Sequence, residues 1–270
     1  MTKPYAEVIG DPIAHSKSPL IHGFWLAELG IDARYDRCHV TPDALAGYVA
    51  HRRDDPTWRG CNVTIPHKQA ALDLVADKGG IRETIGAINT IFRDAGGTLV
   101  GTNTDAGGFV APIADLDLAG RPVVVIGAGG AARAILFALA RLGAGPVTLL
   151  ARNALKGAAL LSHFGLKGAV KPLDAALPPA ALLVNASPLG MTGQPPLELD
   201  LTPLPDDCVV YDIVYAPLET ALLQNAEARD LDTVDGLDML VGQAALAFEI
   251  FFDAAPPRDR DEALRQLLTS

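Results

Sequence analysis

Apolar and polar positions in the first hundred residues alternate in short segments typical of an α/β fold. The run YAEVIG predicts a first strand, which ends at the turn residues GDP. Apolar residues at helical spacing in SPLIHGFWLAELG predict a helix with Ser18 as N-cap, Pro19 as its first residue and Gly30 as its end. The remaining segments predict strands over ARYDRCHV and RGCNVTI, helices over TPDALAGYVAHRR and HKQAALDLVAD, and a hairpin of AINTIFRD and TLVGTNT.

A different pattern follows the segment DAGGFVAPIADL, which predicts a linking helix. Residues 123–126 are a continuous β-branched run, followed by a glycine-rich turn and an Ala/Leu-rich helix. The runs PVTLLAR, ALLVNAS and CVVYDIVY predict further buried strands of a doubly wound unit, with helical segments between them. The apolar helix predicted over MLVGQAALAFEIFFDAA and the amphipathic helix over RDRDEALRQLL need not stay with this second unit.

Composition and charge limit the classes of function. A chain of 270 residues is long enough for one or two domains with a large core, and 49% hydrophobic residues indicate a globular protein. A formal net charge of −10 without a basic patch argues against binding to nucleic acid or anionic membranes. The start MTKPYAEVIGDP has no apolar run typical of a signal peptide, and no run is long enough to span a bilayer. We therefore expect a soluble cytoplasmic protein.

Cysteine and histidine spacing predicts neither disulfides nor a metal site. Cys38, Cys61 and Cys208 are odd in number, far apart and without a CxxC motif, which indicates free thiols in a reducing compartment. The 6 histidines lack metal-ligand spacing such as HExxH. We expect no metal.

The stretch VVVIGAGGAARAI has the pattern of a dinucleotide-binding turn. Gly127 would form the tight turn after the strand, Gly129 would let the backbone approach a pyrophosphate, and Ala132 would take the third small position. The phosphate would then meet unpaired amides at the positive end of a helix dipole. The alternative is a tight turn with a purely structural role.

The end of the next predicted strand favours NADP over NAD. An NAD site usually has an acidic residue there to bind the ribose 2′-hydroxyl, and LLARNALKGA has none. Arg152 and Lys156 instead lie where a 2′-phosphate would be, and the planar fork of arginine suits phosphate. The alternative is two solvated surface cations.

The stretch GCNVTIPHKQAAL places Lys68 at the mouth of a strand-to-helix turn. Asp105 follows the hairpin and begins the linking helix, so an acid falls near the seam between the two predicted units. A lysine held by a carboxylate could protonate the oxygen of a carbonyl that accepts hydride. Lysine and aspartate are also common surface residues, and their spacing alone leaves that interpretation open.

Eight motifs in order along nearly the whole chain give it a resemblance to the shikimate dehydrogenase family. They are GDPIAHSKSPLIH, GCNVTIPHK, IGAINT, GTNTDAGGF, GAGGAARA, VNASPLGM, YDIVYAPLETALL and GLDMLVGQAALAFEI. The resemblance implies reversible NADPH-dependent reduction of 3-dehydroshikimate to shikimate, a step of aromatic amino acid biosynthesis. It implies two α/β domains: a substrate-binding domain over 1–103 plus 238–270, which includes the C-terminal helices, and a Rossmann-like doubly wound NADP domain over 104–237.

The resemblance also implies a role for each residue that matches a family motif. Lys68 and Asp105 would be the catalytic pair, and Asn62 would shape the same loop. Substrate contacts would come from Ser16, Ser18, Thr64, Asn89, Tyr215 and Gln243. NADP contacts would come from Gly127, Ala128, Gly129, Gly130, Ala131, Arg152, Lys156, Asn185, Ala186, Ser187, Ile213 and Gly236.

Several of these residues have a structural interpretation as well. The two serines could cap a turn and a helix, Asn89 could be a strand-end turn residue, and Tyr215 could be a core residue. Gln243 lies in an apolar helix, where a polar side chain needs a partner from either ligand or backbone.

Three alternatives for the whole chain stay open. The first is a paralogue that acts on quinate or an amino analogue with NAD or NADP. Ala151-Arg152-Asn153 keeps the arginine of the family's Asn-Arg-Thr among different neighbours, and cofactor preference depends on this segment. The second is a non-catalytic sensor of NADPH or shikimate, and the third is another reductase that shares only the nucleotide unit. A monomer and a homodimer both fit.

Overall fold

The computed structural model describes residues 3–270, and the chain divides into two compact units, each built on its own sheet. The first unit contains the chain up to Thr104 together with Val241–Ser270, and the second unit is Asp105–Leu240. The predicted α/β class is confirmed, and the C-terminal helices return to the first unit. The assignment of substrate binding to one unit and NADP binding to the other stays a prediction.

The first unit has a mixed sheet with the strand order β2–β1–β3–β4–β5. β1 pairs in parallel with β2 and β3, whereas β4 pairs antiparallel with β3 and β5. The parallel pairs need long crossover connections, and the hairpin of β4 and β5 needs only a short turn. The strands are β1 (Tyr5–Gly10), β2 (Arg34–His39), β3 (Trp58–Val63), β4 (Thr90–Arg93) and β5 (Leu99–Thr102).

The crossovers are α1 (Ser18–Glu28) and α2 (Leu45–Arg53), and α3 (Ile81–Thr84) is a single turn before the hairpin. The prediction that Ser18 caps α1 is wrong. Ser18 is itself the first helical residue, and Lys17 precedes it as an N-cap without a side-chain cap bond. At the other end, Gly30 follows the helix with a φ of 63°, as expected for a stop.

The prediction of an α-helix over HKQAALDLVAD is also wrong. Only a short 3₁₀ segment forms there, over Ala70–Leu74, and the chain is extended at Val75. The next residue, Ala76, exchanges backbone hydrogen bonds with β5: its N–H donates to the carbonyl of Leu99, and its carbonyl accepts from Gly101. Bonds to the sheet therefore replace the bonds that would have continued a helix.

The second unit has an all-parallel sheet with the strand order β11–β10–β9–β6–β7–β8. The order reverses between β6 and β9, which is the place where open α/β sheets bind ligands. The strands are β6 (Val123–Ile126), β7 (Val147–Leu150), β8 (Gly168–Lys171), β9 (Leu182–Asn185), β10 (Val209–Asp212) and β11 (Thr233–Val234). β8 and β11 are short strands that the sequence pattern does not predict.

The helices of this unit are α4 (Asp105–Val110), α5 (Gly130–Arg141), α6 (Ala154–His163) and α7 (Ala221–Glu227). The expectation of a helix between every pair of strands fails between β9 and β10. Residues 186–208 are irregular there. Their apolar side chains still pack into the core, because Leu197, Leu201 and Leu204 are buried with Val210.

Two helices end the chain, α8 (Gly236–Phe252) and α9 (Asp261–Thr269). The boundary between the units falls inside α8. Most side chains of α8 in the first unit are buried, which explains its apolar composition. α9 buries Leu264 and Leu268, and the amine of Lys17 donates to the carbonyl of Leu268. Among residues 3–270, no helix is both long and apolar enough to cross a membrane.

An aromatic cluster lies between the first sheet and its helices. The His22 ring stacks on Tyr35 with 3.9 Å between centroids and 3° between planes, and Trp25 meets it edge-on at 5.8 Å. His22 is fully buried, and neither of its ring nitrogens has a hydrogen-bond partner. Burial lowers the pKa of His22 to about 3, so the imidazole is neutral in the folded protein.

Neutral burial of His22 makes folding sensitive to acid. Its unfolded pKa is about 6.5, so the unfolded chain takes up a proton below that pH while the folded chain does not until about pH 3. Stability present above pH 6.5 is therefore lost as the pH falls from 6.5 toward 3, by about 2 kcal/mol at pH 5. We expect His22→Phe, which keeps a stacking ring, to reduce the loss between pH 7.5 and 5 by that amount in urea unfolding.

His51→Phe is the matched control, because His51 is exposed on α2. This variant should keep the pH dependence of the wild type. Equal flattening by both substitutions would contradict the assignment to the buried imidazole.

Candidate active site

The loop after β3 carries Thr64 and Lys68 and is fixed at several points of the first unit. The N–H of Thr64 donates to a carbonyl of β1 at 2.9 Å, and the imidazole of the buried His67 lies 2.7 Å from the carbonyl oxygen of Val40. The N–H of Ile88 donates to the carbonyl of Lys68 at 2.8 Å. The half-buried Lys68 side chain therefore starts from a fixed backbone, and His67 acts as a local anchor.

The turn before α1 carries the two predicted serines. The Oγ of Ser16 accepts from the N–H of Ser18 at 3.3 Å, so the serines are brought together. The guanidinium of Arg37 donates twice to the Ser16 carbonyl, at 2.9 and 2.5 Å. Arg37 thus places a positive charge beside this turn, in a position that suits an anionic group.

Asn89 is the centre of a buried hydrogen-bond network. Its Oδ1 accepts from the backbone N–H of Thr104 at 2.7 Å, and its Nδ2 donates to the Thr104 hydroxyl at 2.9 Å and to Oε1 of Gln243 at 3.3 Å. The amide of Asn62 joins the network by donating to the carbonyl of Asn89 at 3.3 Å. Gln243 therefore accepts from the side chain of Asn89, whereas the sequence predicted a partner from ligand or backbone, and the structure brings Asn62, Asn89 and Gln243 together in the first unit.

The glycine-rich turn of the second unit follows β6 at the reversal of strand order. Gly127 has a φ of 103°, and a Cβ on it would lie 2.9 Å from the carbonyl oxygen of Ala186. Gly129 is the N-cap of α5, makes no side-chain cap bond, and has open space where a Cβ would be. Ala132 is fully buried, as expected for the third small position. The first amides of α5 are therefore available to an anion at the positive end of the helix.

Arg152 and Lys156 follow β7, and both are exposed. Asn153 between them caps α6, because its side chain accepts from the N–H of Lys156 at 2.9 Å. The cap fixes the first turn of α6, so the two cations stand on one ordered segment, with no acidic residue between them.

Asn185 and Asp212 lie beside the glycine turn, at the ends of β9 and β10. Asn185 pairs in register with Ile126 on one side and with Asp212 on the other. Its Nδ2 donates to Asp212 at 2.9 Å, and its Oδ1 accepts from the N–H and the hydroxyl of Ser187 at 3.1 and 2.7 Å. The Asn185 side chain therefore shapes the loop over Ala186 and Ser187.

Asp212 is a fully buried carboxylate that holds two loops. Besides Asn185, it accepts from the N–H of Val214 at 3.0 Å and from the hydroxyl of Thr220 at 2.7 Å. Burial raises the pKa of Asp212, and these three donors oppose the rise because they favour the charged form. The segment after β10, which carries Ile213, is fixed by this carboxylate.

The remaining predicted residues of the second unit lie at its helix and strand ends. Asp105 is buried and begins α4, where a carboxylate suits the positive end of the helix. Tyr215 is half-buried. Gly236 begins α8 packed against the carbonyls of Ile213 and Val214, so its small size has a packing reason here. Lys68 and Asp105 belong to different units.

The two units offer different chemistry. The first unit presents hydroxyls, amides and an amine, which suit a small polar molecule with several oxygen atoms. The second unit presents backbone amides and two cations, which suit phosphate groups. Among residues 3–270, no cluster of three or more His, Cys, Asp or Glu side chains could hold a metal.

Comparison with known proteins identifies the family. The family model "Shikimate dehydrogenase substrate binding domain" matches residues 8–91, and "Shikimate 5'-dehydrogenase C-terminal domain" matches residues 236–264. The chain is 68% identical to the curated shikimate dehydrogenase (NADP(+)) of Sphingopyxis alaskensis, over 99% of this chain and 97% of that protein. The chain belongs to the shikimate dehydrogenase family.

Solved structures agree with this family and with its two-domain Rossmann-type fold. Shikimate 5-dehydrogenase from Thermus thermophilus, in complex with NADP(H) and shikimate, superposes with a TM-score of 0.84 at 36% identity, over 97% of this chain and 99% of that one. The ligand-free 5-ketofructose reductase of a Gluconobacter species superposes with a TM-score of 0.88 at 30% identity, over 99% of both chains. The fold of the family is therefore shared with a reductase that carries a different substrate in its name.

Sequence reasoning missed three residues that organise this family site. Tyr35, Thr104 and Asp212 hold the predicted residues through hydrogen bonds. Asp212 had a recognisable signal, because a carboxylate within the apolar run VVYDIV must be paired when the strand is buried. Tyr35 and Thr104 had none, since each is ordinary for a strand or a turn.

Gly127 and Gly129 differ in the space available for a Cβ, and this difference allows a test of whether the glycine-rich turn binds a pyrophosphate. We expect Gly127→Ala to destabilise the protein by about 1–3 kcal/mol, because the new Cβ meets Ala186 and the backbone conformation is strained for alanine. Gly129→Ala should leave stability near that of the wild type, because the space around it is open. It should still weaken NADP binding about tenfold if the backbone there approaches a pyrophosphate.

Thermal unfolding without cofactor and calorimetric titration with NADP measure the two effects separately. Unchanged NADP affinity in Gly129→Ala would remove this glycine from the cofactor site. A stable Gly127→Ala variant would show that the turn tolerates the Cβ.

Proposed function

We propose that the chain is an NADP-dependent shikimate dehydrogenase, which reversibly reduces 3-dehydroshikimate to shikimate in aromatic amino acid biosynthesis. The observation that carries the proposal is the set of amide and hydroxyl groups that the first unit gathers, in the same unit as Lys68. The chain that carries them is 68% identical to a curated shikimate dehydrogenase (NADP(+)). As an oxidoreductase acting on a CH–OH group, it takes a small molecule as substrate.

The second unit suits NADP. Gly127 to Ala131 and the uncapped start of α5 would hold the pyrophosphate, and Arg152 and Lys156 would hold the 2′-phosphate. Ala186, Ser187, Ile213 and Gly236 would lie along the nicotinamide, on loops fixed by Asn185 and Asp212. When bound, NADPH supplies the hydride of the reaction. Curated relatives carry NADP(+) in their names, in agreement with the predicted cofactor.

The first unit would bind and orient the substrate. Ser16 and Ser18 would accept its carboxylate between hydroxyls and turn amides, and the nearby Arg37 adds attraction for an anion. Thr64, Asn89 and Gln243 would bind ring hydroxyls or line the pocket, and Tyr215 would contact the same molecule. A ring with hydroxyls on several carbons fits this mixture of donors and acceptors.

Lys68 would move the proton. In the direction of reduction, its ammonium gives a proton to the carbonyl oxygen as that oxygen becomes a hydroxyl, and in the reverse direction its neutral amine takes the proton back. We assign Asp105, the second residue of the catalytic pair, to the adjacent hydroxyl of the substrate. The anchored backbone of Lys68 supports this role, because a general acid must reach the same oxygen in every turnover.

Partners and location follow from the same function. We propose that the protein acts in the cytoplasm as a monomer or homodimer, with no nucleic-acid or membrane partner. A net charge of −10 supports the absence of nucleic-acid binding, and the free Cys38, Cys61 and Cys208 support a reducing compartment.

A spectrophotometric assay at the absorbance band of reduced nicotinamide tests the function directly. Purified protein would be given shikimate or quinate, each with NADP or NAD. We expect fast formation of NADPH from shikimate with NADP, and kcat/KM lower by at least about tenfold for the other three pairs. NAD lacks the 2′-phosphate that the two cations would bind, and quinate brings an extra hydroxyl that needs its own space and hydrogen-bond partner. Activity only with quinate or NAD would assign the chain to a paralogous role, and activity with no pair would favour a sensor.

The role of Lys68 has its own test. We expect Lys68→Ala to lower kcat by about a hundredfold or more, the usual contribution of a general acid, while NADPH binding stays unchanged. Lys68→Arg should also be slow, since a guanidinium keeps its proton. Lys78→Ala is the control, because Lys78 pairs with Asp94 in the same unit and takes no part in the site. Normal turnover in Lys68→Ala would end the proton-transfer assignment.

A further inference from the structure

Tyr35 connects the two parts of the first unit that carry the substrate-binding residues. Its hydroxyl donates to Oδ1 of Asn62 at 2.6 Å, and its ring stacks on His22 at 3.9 Å. His22 lies one helical turn after Ser18 on the buried face of α1. One rigid side chain therefore contacts the helix that follows the serine turn and the strand that leads to the loop of Lys68.

The sheet explains how a tyrosine can span this distance. Tyr35 lies on β2 and Asn62 on β3, with β1 between them, so the two backbones are separated by about twice the 4.8 Å strand spacing. In register with Tyr35 stand Ala6 and Gly60. The place that a Cβ on Gly60 would take is filled by the ring of Phe251, whose centroid lies 6.4 Å from that of the Tyr35 ring. A shorter side chain at position 35 could not reach the amide.

In the hydrogen bond between Tyr35 and Asn62, the tyrosine hydroxyl must be the donor and the amide oxygen the acceptor. The carbonyl of Asn89 can only accept, so Asn62 must turn its Nδ2 toward Asn89, and its Oδ1 must face Tyr35. The same Nδ2 donates to the hydroxyl of Thr90 at 3.1 Å, and that hydroxyl donates in turn to Oδ1 of Asn89 at 3.1 Å. Donation by the Tyr35 hydroxyl is therefore consistent with the donor and acceptor roles in every hydrogen bond between Asn62 and Asn89. Asn89 in turn donates its Nδ2 to Gln243.

We propose that Tyr35 is a positioning residue that sets the distance and orientation of the Asn62–Asn89 amides relative to the serine turn of α1. The inference rests on the proposed function, because a substrate with a carboxylate at one end and hydroxyls at the other needs both ends of its site at a fixed separation. Tyr35 is 6% exposed and acts through Asn62.

Tyr35→Phe removes the hydroxyl and keeps the ring that stacks on His22. We expect KM for shikimate to rise about three- to tenfold, the size of one ordinary hydrogen bond, with a smaller change in kcat and an unchanged KM for NADP. Tyr5→Phe is the matched control. Tyr5 lies on β1 of the same sheet and is 8% exposed, and its hydroxyl donates to Asp55 at 2.7 Å. This control should leave both KM values within about twofold of the wild type.

A double-mutant cycle shows whether Tyr35 acts through Asn62. In an Asn62→Ala background, Tyr35→Phe should change kcat/KM by less than about twofold, because the acceptor is already gone. Additive effects, or equal effects of Tyr35→Phe and Tyr5→Phe, would overturn the proposal. If Tyr35→Phe does not fold, Asn62→Ala alone must raise KM for shikimate selectively, and an unchanged KM would overturn the proposal as well.

An NMR measurement separates this inference from the proposed function. The side-chain amide signals of Asn62 and Asn89, recorded without substrate, should shift or broaden in Tyr35→Phe and stay in place in Tyr5→Phe. Unmoved signals overturn the positioning role even if the wild type oxidises shikimate. If the signals move in Tyr35→Phe but the wild type does not turn over shikimate, the positioning of the amides stands and the proposed function is rejected.

Discussion

Buried asparagine side chains hold the loops on which the candidate site is built. Asn62, Asn89 and Asn185 are at most 5% exposed, and an amide buried without partners costs about 1–3 kcal/mol for each unpaired group. Each amide therefore recruits backbone groups from the next segment: Asn89 binds the N–H of Thr104, and Asn185 binds the N–H of Ser187. The positions of the loops that carry the candidate site residues follow from this requirement.

The candidate sites of the two units are built in different ways. In the second unit, the candidate phosphate site is formed by backbone groups. It therefore requires that side chains be absent, as at Gly127. In the first unit, the candidate substrate site consists of side-chain amides and hydroxyls, each of which has a fixed role as hydrogen-bond donor or acceptor. Backbone amides suit phosphates of many nucleotides, whereas a directional set can reject a substrate that lacks one hydroxyl, because its own buried groups would stay unpaired. Similarity to a ketofructose reductase fits this division, since the fold supports more than one substrate.

Local sequence pattern predicted most strands of the sheets and the glycine turn, and it failed where tertiary bonds compete with helix propensity. HKQAALDLVAD has a helical pattern, yet Ala76 pairs with β5 instead. The segment 186–208 buries Leu197 and Leu204 without regular structure. β8 has no buried apolar run, since its sequence is GAVK and its first two residues are exposed, and β11 has only 2 residues, so neither strand leaves a pattern. Ser18 was expected to precede its helix and instead begins it. These outcomes depend on partners far away in the chain, which no local window contains.

The sequence by itself determined the α/β class, the glycine-rich turn and the residues that match the family, because strand and helix periodicity and glycine at forced positions are local properties. Only the tertiary structure decided which side chains hold the site in place. Tyr35 and Thr104 are unremarkable in the sequence, and each becomes important through its hydrogen bonds to the buried asparagines. The sequence signal of Asp212 says only that the carboxylate must be paired, and the structure identifies its three donors. A hydrogen bond depends on distances of a few tenths of an ångström and on direction, and both are set by the packing of segments that lie far apart in the chain.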